Sequence, residues 1–257
     1  MSMRSASVLL PLGALVVVTA CAGGQAPQQT APPSTVAAAA AVAATSATGS
    51  IAGKIGYTGS VPAAEKVKLS ADPKCLAMHK DGLEKQSILV KDGGLAHVLV
   101  YVKSGIAGGS YPAPAEPALL DQNGCNYTPH VLAVQVGQPI KIRNSDDTLH
   151  NIHPRPTQNA EFNIGQPRQG MESTKTFDKP ELKIPVGCDV HPWMRAYVHV
   201  LSNPFFALTQ DDGSFEIKGL PAGEYEVEAL HEKLAPLTGK VTVKDGEAAR
   251  LDLSLQG

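Results

Sequence analysis

The chain has 257 residues and a formal net charge of −2, from 22 Lys+Arg against 24 Asp+Glu. At about 100–200 residues per domain, that is room for one or two domains. So even a charge balance excludes the basic face that a nucleic-acid binder needs, and the 24 glycines and 20 prolines fit strands and turns better than helices.

The N-terminal segment opens with Arg4, continues through the apolar stretch Val8–Val18 and ends in Val18-Thr19-Ala20-Cys21. A basic start, a short apolar run and small residues before a cut make a secretory signal. The run falls short of the ~20 residues a spanning helix needs. With Cys21 placed directly after the cut, the segment resembles a bacterial lipobox. That resemblance implies a signal peptide at 1–20, acylation of Cys21, and an exported chain held to a membrane by its lipid, in the periplasm or at the cell surface. Ala22, where an Asp would signal otherwise, implies the outer membrane in an organism that has one. Residues 21–48 are mostly Ala, Pro, Gln, Thr, Ser and Gly without charge. They cannot bury a face and are expected to form a flexible tether.

From Gly49 the pattern is β-like. Ile51, Gly53, Ile55 and Tyr57 alternate with other residues. Further strands are expected at Val67–Leu69, Ser87–Val90 and Ala96–Val102, with a turn of helix at Pro73–His79. Val131–Val136 leads through Gly137-Gln138-Pro139 into Ile140–Arg143 and reads as a hairpin. Thr174–Phe177, Leu182–Val186 and Ala196–Leu201 follow. Many short strands with frequent turn signals predict an all-β sandwich or barrel.

After Asn203-Pro204 come five more candidate strands: Phe205–Thr209, Ser214–Ile217, Gly223–Leu230, Gly239–Val243 and Ala249–Leu255. The run T-Q-D-D-G-S-F-E-I-K-G-L-P-A-G-E-Y-E-V at 209–227 resembles the carboxypeptidase regulatory-like (transthyretin-like) sandwich family. Phe215, Ile217, Leu220, Tyr225 and Val227 would face its core. Residues 203–257 are few for an independent core. Domains of that family usually begin with a strand like Gly49–Ile55. Two arrangements therefore stand: a tandem of 49–202 and 203–257, or shared strands, with the middle of the chain inserted into an outer sandwich.

The strongest chemical signal is Cys188-Asp189-Val190-His191-Pro192-Trp193-Met194, preceded far upstream by Leu149-His150-Asn151-Ile152-His153. A thiolate, two imidazoles and a thioether suit copper in both of its oxidation states. Three donors on one loop and one on a distant strand let a rigid sandwich fix their geometry. The loop, followed by R-A-Y-V-H-V, resembles the cupredoxins, in particular the amicyanin and plastocyanin group, over residues 131–201. That resemblance implies a Greek-key sandwich holding one mononuclear type 1 copper on His150, Cys188, His191 and Met194. His150 is preferred to His153, because strand positions three apart face opposite sides and because an Asn follows it as in the family. Asn151 is implied to tie the two ligand segments together. Asp189 stands where the family has Ser or Thr, and its carboxylate is expected to accept from Asn151, favour Cu(II) and lower the reduction potential. Trp193 is expected beside an exposed edge of His191 where a partner docks.

With Cys21 acylated and Cys188 on copper, Cys75 and Cys125 remain. In an exported chain they are expected to form a disulfide. The alternative is a second metal site with His79 and His130. His97, His199 and His231 read as structural. There is no G-x-S-x-G, phosphate loop or H-E-x-x-H. The expectation is therefore not an enzyme but a carrier of single electrons between redox partner proteins. Copper storage or delivery, and a β-sandwich binding or scaffold module, are the alternatives.

Overall fold

The computed structural model describes residues 48–69, 72–85 and 87–257. The expected signal peptide, the anchor Cys21 and the tether up to residue 47 lie outside the described residues. Within them the chain is all-β, with one short helix at Pro73–Met78.

The strands enclose two main apolar cores. The first is organised by the ten-residue strand Gly49–Thr58. This strand pairs antiparallel with Ser214–Leu220 and Gly94–Leu95, and parallel with Ala248–Arg250 and Leu253–Gln256. A second sheet faces it: Phe206–Leu208, Leu99–Ser104, Gly223–Leu230 and Leu237–Val243, in that order. Ile51, Ile55, Val100, Phe215, Ile217, Leu220 and Val227 pack between the two. The tight turn at Asp212-Gly213 needs its glycine: Gly213 has φ +80° and a Cβ there would collide with the Ile55 carbonyl oxygen.

The second core lies between a four-stranded and a five-stranded sheet. The four-stranded sheet orders Glu172–Lys175, Ile140–Asn144, Ala118–Gln122 and Tyr127–Thr128. The five-stranded sheet orders Ile164–Gln166, His150–Pro154, Glu181–Gly187, Arg195–Leu201 and Val131–Gln135. Leu120, Ile142, Ile152, Ile184, Val186 and Val198 fill the space between.

Two expectations change. Val131–Gln135 and Ile140–Asn144 do not form a hairpin: the first pairs parallel with Arg195–Leu201, the second parallel with Ala118–Gln122. Gly137, at φ +79°, carries the chain from one sheet to the other. The division at 202/203 is also not the division of the cores. Gly49–Thr58 and Leu99–Ser104 take their partners from residues 206–256. The apolar face of Gly49–Thr58 is buried only once those later strands are in place, so residues 118–201 sit in the sequence between the two parts of the first core.

Candidate metal centre

The strand His150–Pro154 and the loop 188–194 form the site. The loop closes the antiparallel pair Glu181–Gly187 and Arg195–Leu201, whose last register pair is Gly187 with Arg195. It folds back on itself: Met194 N donates to the His191 carbonyl at 2.9 Å, Cys188 N donates to the Met194 carbonyl at 3.3 Å, and His191 N donates to Cys188 Sγ at 3.4 Å. Pro192 has no N–H to compete for these acceptors.

These contacts bring ligand atoms of His150, Cys188 and His191 within 4.8 Å of one another. The Nδ1 atoms of His150 and His191 face each other at 2.9 Å, and Cys188 Sγ lies 3.8 Å from His191 Nδ1. Met194, on the same loop, is fully buried in the second core.

Each imidazole has a carboxylate behind it. His150 Nε2 donates to Asp146 Oδ2 at 2.9 Å, and His191 Nε2 donates to Asp72 Oδ2 at 2.9 Å. Asp146 is itself held by the backbone N–H groups of Gly124 and Cys125, both at 2.8 Å. Asp72 caps the helix Pro73–Met78, accepting from Lys74 N and Cys75 N through Oδ1, and takes Thr148 Oγ1 on Oδ2. A carboxylate on Nε2 fixes that nitrogen as the protonated one and leaves Nδ1 with its lone pair. Two Nδ1 atoms 2.9 Å apart share a cation, either a proton on one of them or a metal ion held by both.

The electrostatics draw positive charge into this pocket, whether a proton or a metal ion. Burial pushes the Cys188 thiol up, but hydrogen bonds with His150, His191 and Asn151 overcome it and bring the thiol down to about 6. Burial works against protonation of His150 and His191, while Asp146, Asp72 and the Cys188 sulfur raise both above the ordinary histidine value. Burial opposes ionisation of Asp72 as well, yet its bonds to His191 and the helix start hold it at about 2. The pocket is thus two imidazoles, a thiolate and two fixed negative charges: a donor set that fits copper, with a buried thioether on the loop.

Asn151 lies where the two segments meet. Its Oδ1 accepts from Asp189 N at 2.7 Å and from the Cys188 thiol at 3.2 Å, and its Nδ2 donates to Asp189 Oδ2 at 3.1 Å. Asp189 is no isolated charge, however. Arg155 donates to it at 2.9 Å, and His153 and Asn163 also bind it. The carboxylates that bear directly on the ligand imidazoles are Asp72 and Asp146. His153 turns away from the site and bonds Asp189 and Glu161.

Cys75 and Cys125 form a disulfide. The alternative cluster with His79 and His130 is not assembled: His79 Nε2 donates to the Gly124 carbonyl, and His130 pairs with Glu232. The bridge lies against the site, with Cys75 Sγ 3.7 Å from His191 Nε2. Trp193 donates from Nε1 to the Cys125 carbonyl at 3.1 Å, its ring 5.0 Å from that of His191. His191 is consequently only 1% exposed. The expected open edge of His191 is corrected here: Asp72, the start of its helix, the disulfide and Trp193 cover it.

Sequence reasoning missed Asp72 and Asp146. Asp72-Pro73 carries a helix-start signature, but nothing in it points to a histidine 119 residues away. Asp146 and Asp147 are alike in sequence, and only the fold buries the first and leaves the second exposed.

No protein-family description matches the chain, and no curated protein matches it. Among solved structures, parts of it are similar to a purple cupredoxin from Nitrosopumilus maritimus (22% identity, 32% of this chain and 98% of that one, TM-score 0.28). Parts are also similar to an oxidised mutant of amicyanin (20% identity, 39% of this chain and 97% of that one, TM-score 0.31). A copper-containing nitrite reductase from Thermus scotoductus SA-01 is similar over 38% of this chain, at 22% identity and TM-score 0.30. The match covers 25% of that enzyme.

Proposed function

We propose that the chain is an exported, lipid-anchored carrier of single electrons with one mononuclear type 1 copper. One observation carries this reading: ligand atoms of His150, His191 and Cys188 converge within 4.8 Å in a covered pocket. Copper bound there supplies a one-electron couple between Cu(I) and Cu(II).

The chain's own residues do the rest. His150, Cys188 and His191 hold the ion, with Met194 the fourth ligand. Asp146 and Asp72 keep both imidazoles in the tautomer that presents Nδ1. Asn151 ties the Cys188 loop to the His150 strand, so the donors keep one arrangement in both oxidation states. The disulfide, Asp72 and Trp193 exclude water. In this reading the chain makes and breaks no covalent bond of a substrate, and electrons pass to redox partner proteins across the cover over His191. His150, Cys188, His191 and Met194 are each 4% exposed or less. That burial disfavours copper delivery, which requires the ion to be released.

The test is the visible spectrum of the Cu(II)-loaded chain. An intense thiolate-to-copper charge-transfer band is expected, and Cys188→Ser is expected to remove it. A colourless loaded chain, or a Cys188→Ser variant that keeps the band, overturns the reading.

A further inference from the structure

The far sides of both ligand imidazoles face the same place. His191 Nε2 lies 2.9 Å from Asp72 Oδ2 and 3.7 Å from Cys75 Sγ. His150 Nε2 lies 2.9 Å from Asp146 Oδ2, and Asp146 is bonded to the backbone of Cys125. Two further donor groups result: Asp72, Cys75 and His191, and Cys125, Asp146 and His150, each with ligand atoms within 4.8 Å of one another. They meet at the Cys75–Cys125 bridge. Both sulfurs are fully buried.

In the disulfide the sulfurs are bonded to each other, and a metal needs the thiolate. We infer that reduction of the Cys75–Cys125 bridge opens a second metal site, distinct from the Cys188 centre, in which the two cysteine sulfurs bind Cu(I) with Asp72 and Asp146 beside them. Two soft sulfurs select Cu(I) over hard cations. The inference goes beyond the electron-carrier reading and uses none of Cys188's chemistry.

The chemistry balances with a dithiol as reductant. The dithiol gives two electrons and two protons and closes to its own disulfide. The Cys75–Cys125 bond breaks and two thiols form. Cu(I) then displaces the two thiol protons to solvent as two sulfur–copper bonds form.

The two sulfurs stay adjacent because other bonds hold their segments. Asp72 fixes the Cys75 side to His191 and to Thr148. His79 Nε2 donates to the Gly124 carbonyl at 2.7 Å, directly joining the Cys75 helix to the Cys125 turn. Lys74 pairs with Asp147 at 2.9 Å. Trp193 holds the Cys125 carbonyl, and Asp146 the Cys125 N–H. None of these contacts runs through the S–S bond.

The experiment uses the chain with Cys188→Ser, which removes the first centre, so its outcome is independent of the electron-carrier reading. The protein is reduced with excess dithiol, freed of it without oxygen, and titrated with Cu(I) against a chromophoric chelator. One tightly held equivalent per chain is expected after reduction, and none before it. A chain with Cys75→Ser and Cys125→Ser added is expected to lose that equivalent. Equal binding before and after reduction, or retention by the Ser variant, overturns the inference. So does loss of near-ultraviolet circular dichroism on reduction, because the site depends on the cover keeping its fold.

Discussion

Asp72 Oδ2 accepts from His191 Nε2 at 2.9 Å, joining residues 119 positions apart. The same carboxylate starts the helix Pro73–Met78 with its other oxygen. One side chain thus orders the cover and orients an imidazole of the candidate metal centre. Asp146 does the equivalent for His150, fastening the turn at Gly124 and Cys125 while taking the imidazole N–H.

Replacing Asp72 by Asn keeps an acceptor for the helix cap but removes the charge behind His191. The imidazole then loses its basic partner, and the Nε2–H tautomer loses its advantage. Cu(II) affinity is expected to fall by about 10–100-fold, the usual effect of losing such a partner. The reduction potential is expected to rise, since Cu(II) depends more on a basic imidazole than Cu(I) does. Asp189→Asn should do less, because Asp189 shares its charge with Arg155 and His153. Competition titration and voltammetry on the two variants check this. Equal shifts in both would remove the special place of Asp72.

Asn151→Ala strips the acceptor from Asp189 N, from Val190 N and from the Cys188 thiol. Leaving a donor without a partner costs about 1–3 kcal/mol when it is buried, and these backbone donors are part-buried, which sets that range as the upper bound. The copper-free variant is expected to lose stability within that bound by denaturant unfolding, and its copper-loaded form to show a displaced charge-transfer band. A variant as stable as the parent would mean that water replaces the amide without cost.

Much of this was legible in the chain. The loop 188–194 is contiguous, so Cys188, His191 and Met194 stand together in sequence, and the loop's own hydrogen bonds fold it back on itself. The alternation of Ile51 and Ile55, and of Phe215 and Ile217, marks the buried faces of their strands. What stayed hidden depends on long-range pairing. The turn at Gly137-Gln138-Pro139 has hairpin chemistry, yet its strands enter different sheets, because Val131–Gln135 finds Arg195–Leu201 and Ile140–Asn144 finds Ala118–Gln122. Most of the cover over His191 was hidden for the same reason: Asp72 and Cys75 lie more than a hundred positions upstream, and only Trp193 stands in the loop itself.

The Cys75–Cys125 bridge closes a loop with a sequence separation of 50. In the chain-entropy description, a loop of that size contributes about 4 kcal/mol. The double Cys75→Ser, Cys125→Ser variant is expected to unfold correspondingly earlier in denaturant, while the Cu(II)-loaded form keeps its colour, because neither sulfur belongs to the His150–Cys188–His191 set. Hydrogen exchange should report faster opening in residues 72–79, where the cover is anchored. Loss of the colour itself would make the bridge a condition of the centre rather than of its cover.

Two buried histidines are expected to weaken the fold in mild acid. Burial drives His199 and His231 down to about 4, from an ordinary value of 6.5. Lys183 also lowers His199, and His97, His130 and Lys233 lower His231, while Glu232 works against both shifts. His199 Nδ1 accepts from Lys183 N at 3.2 Å, so its neutral form has a structural task, and the buried His231 Nε2 has no hydrogen-bond partner among the described residues. Between 6.5 and about 4 the unfolded chain binds protons that the folded chain refuses, so stability falls as pH falls through that window. Above 6.5 both states are neutral and the contribution is fully present. Below about 4 the loss is complete. His199→Gln retains a hydrogen-bonding side chain without the titration. Its denaturant midpoint is expected to change less between pH 7 and pH 5 than the parent's, and parallel pH profiles for the two would show that the dependence arises elsewhere.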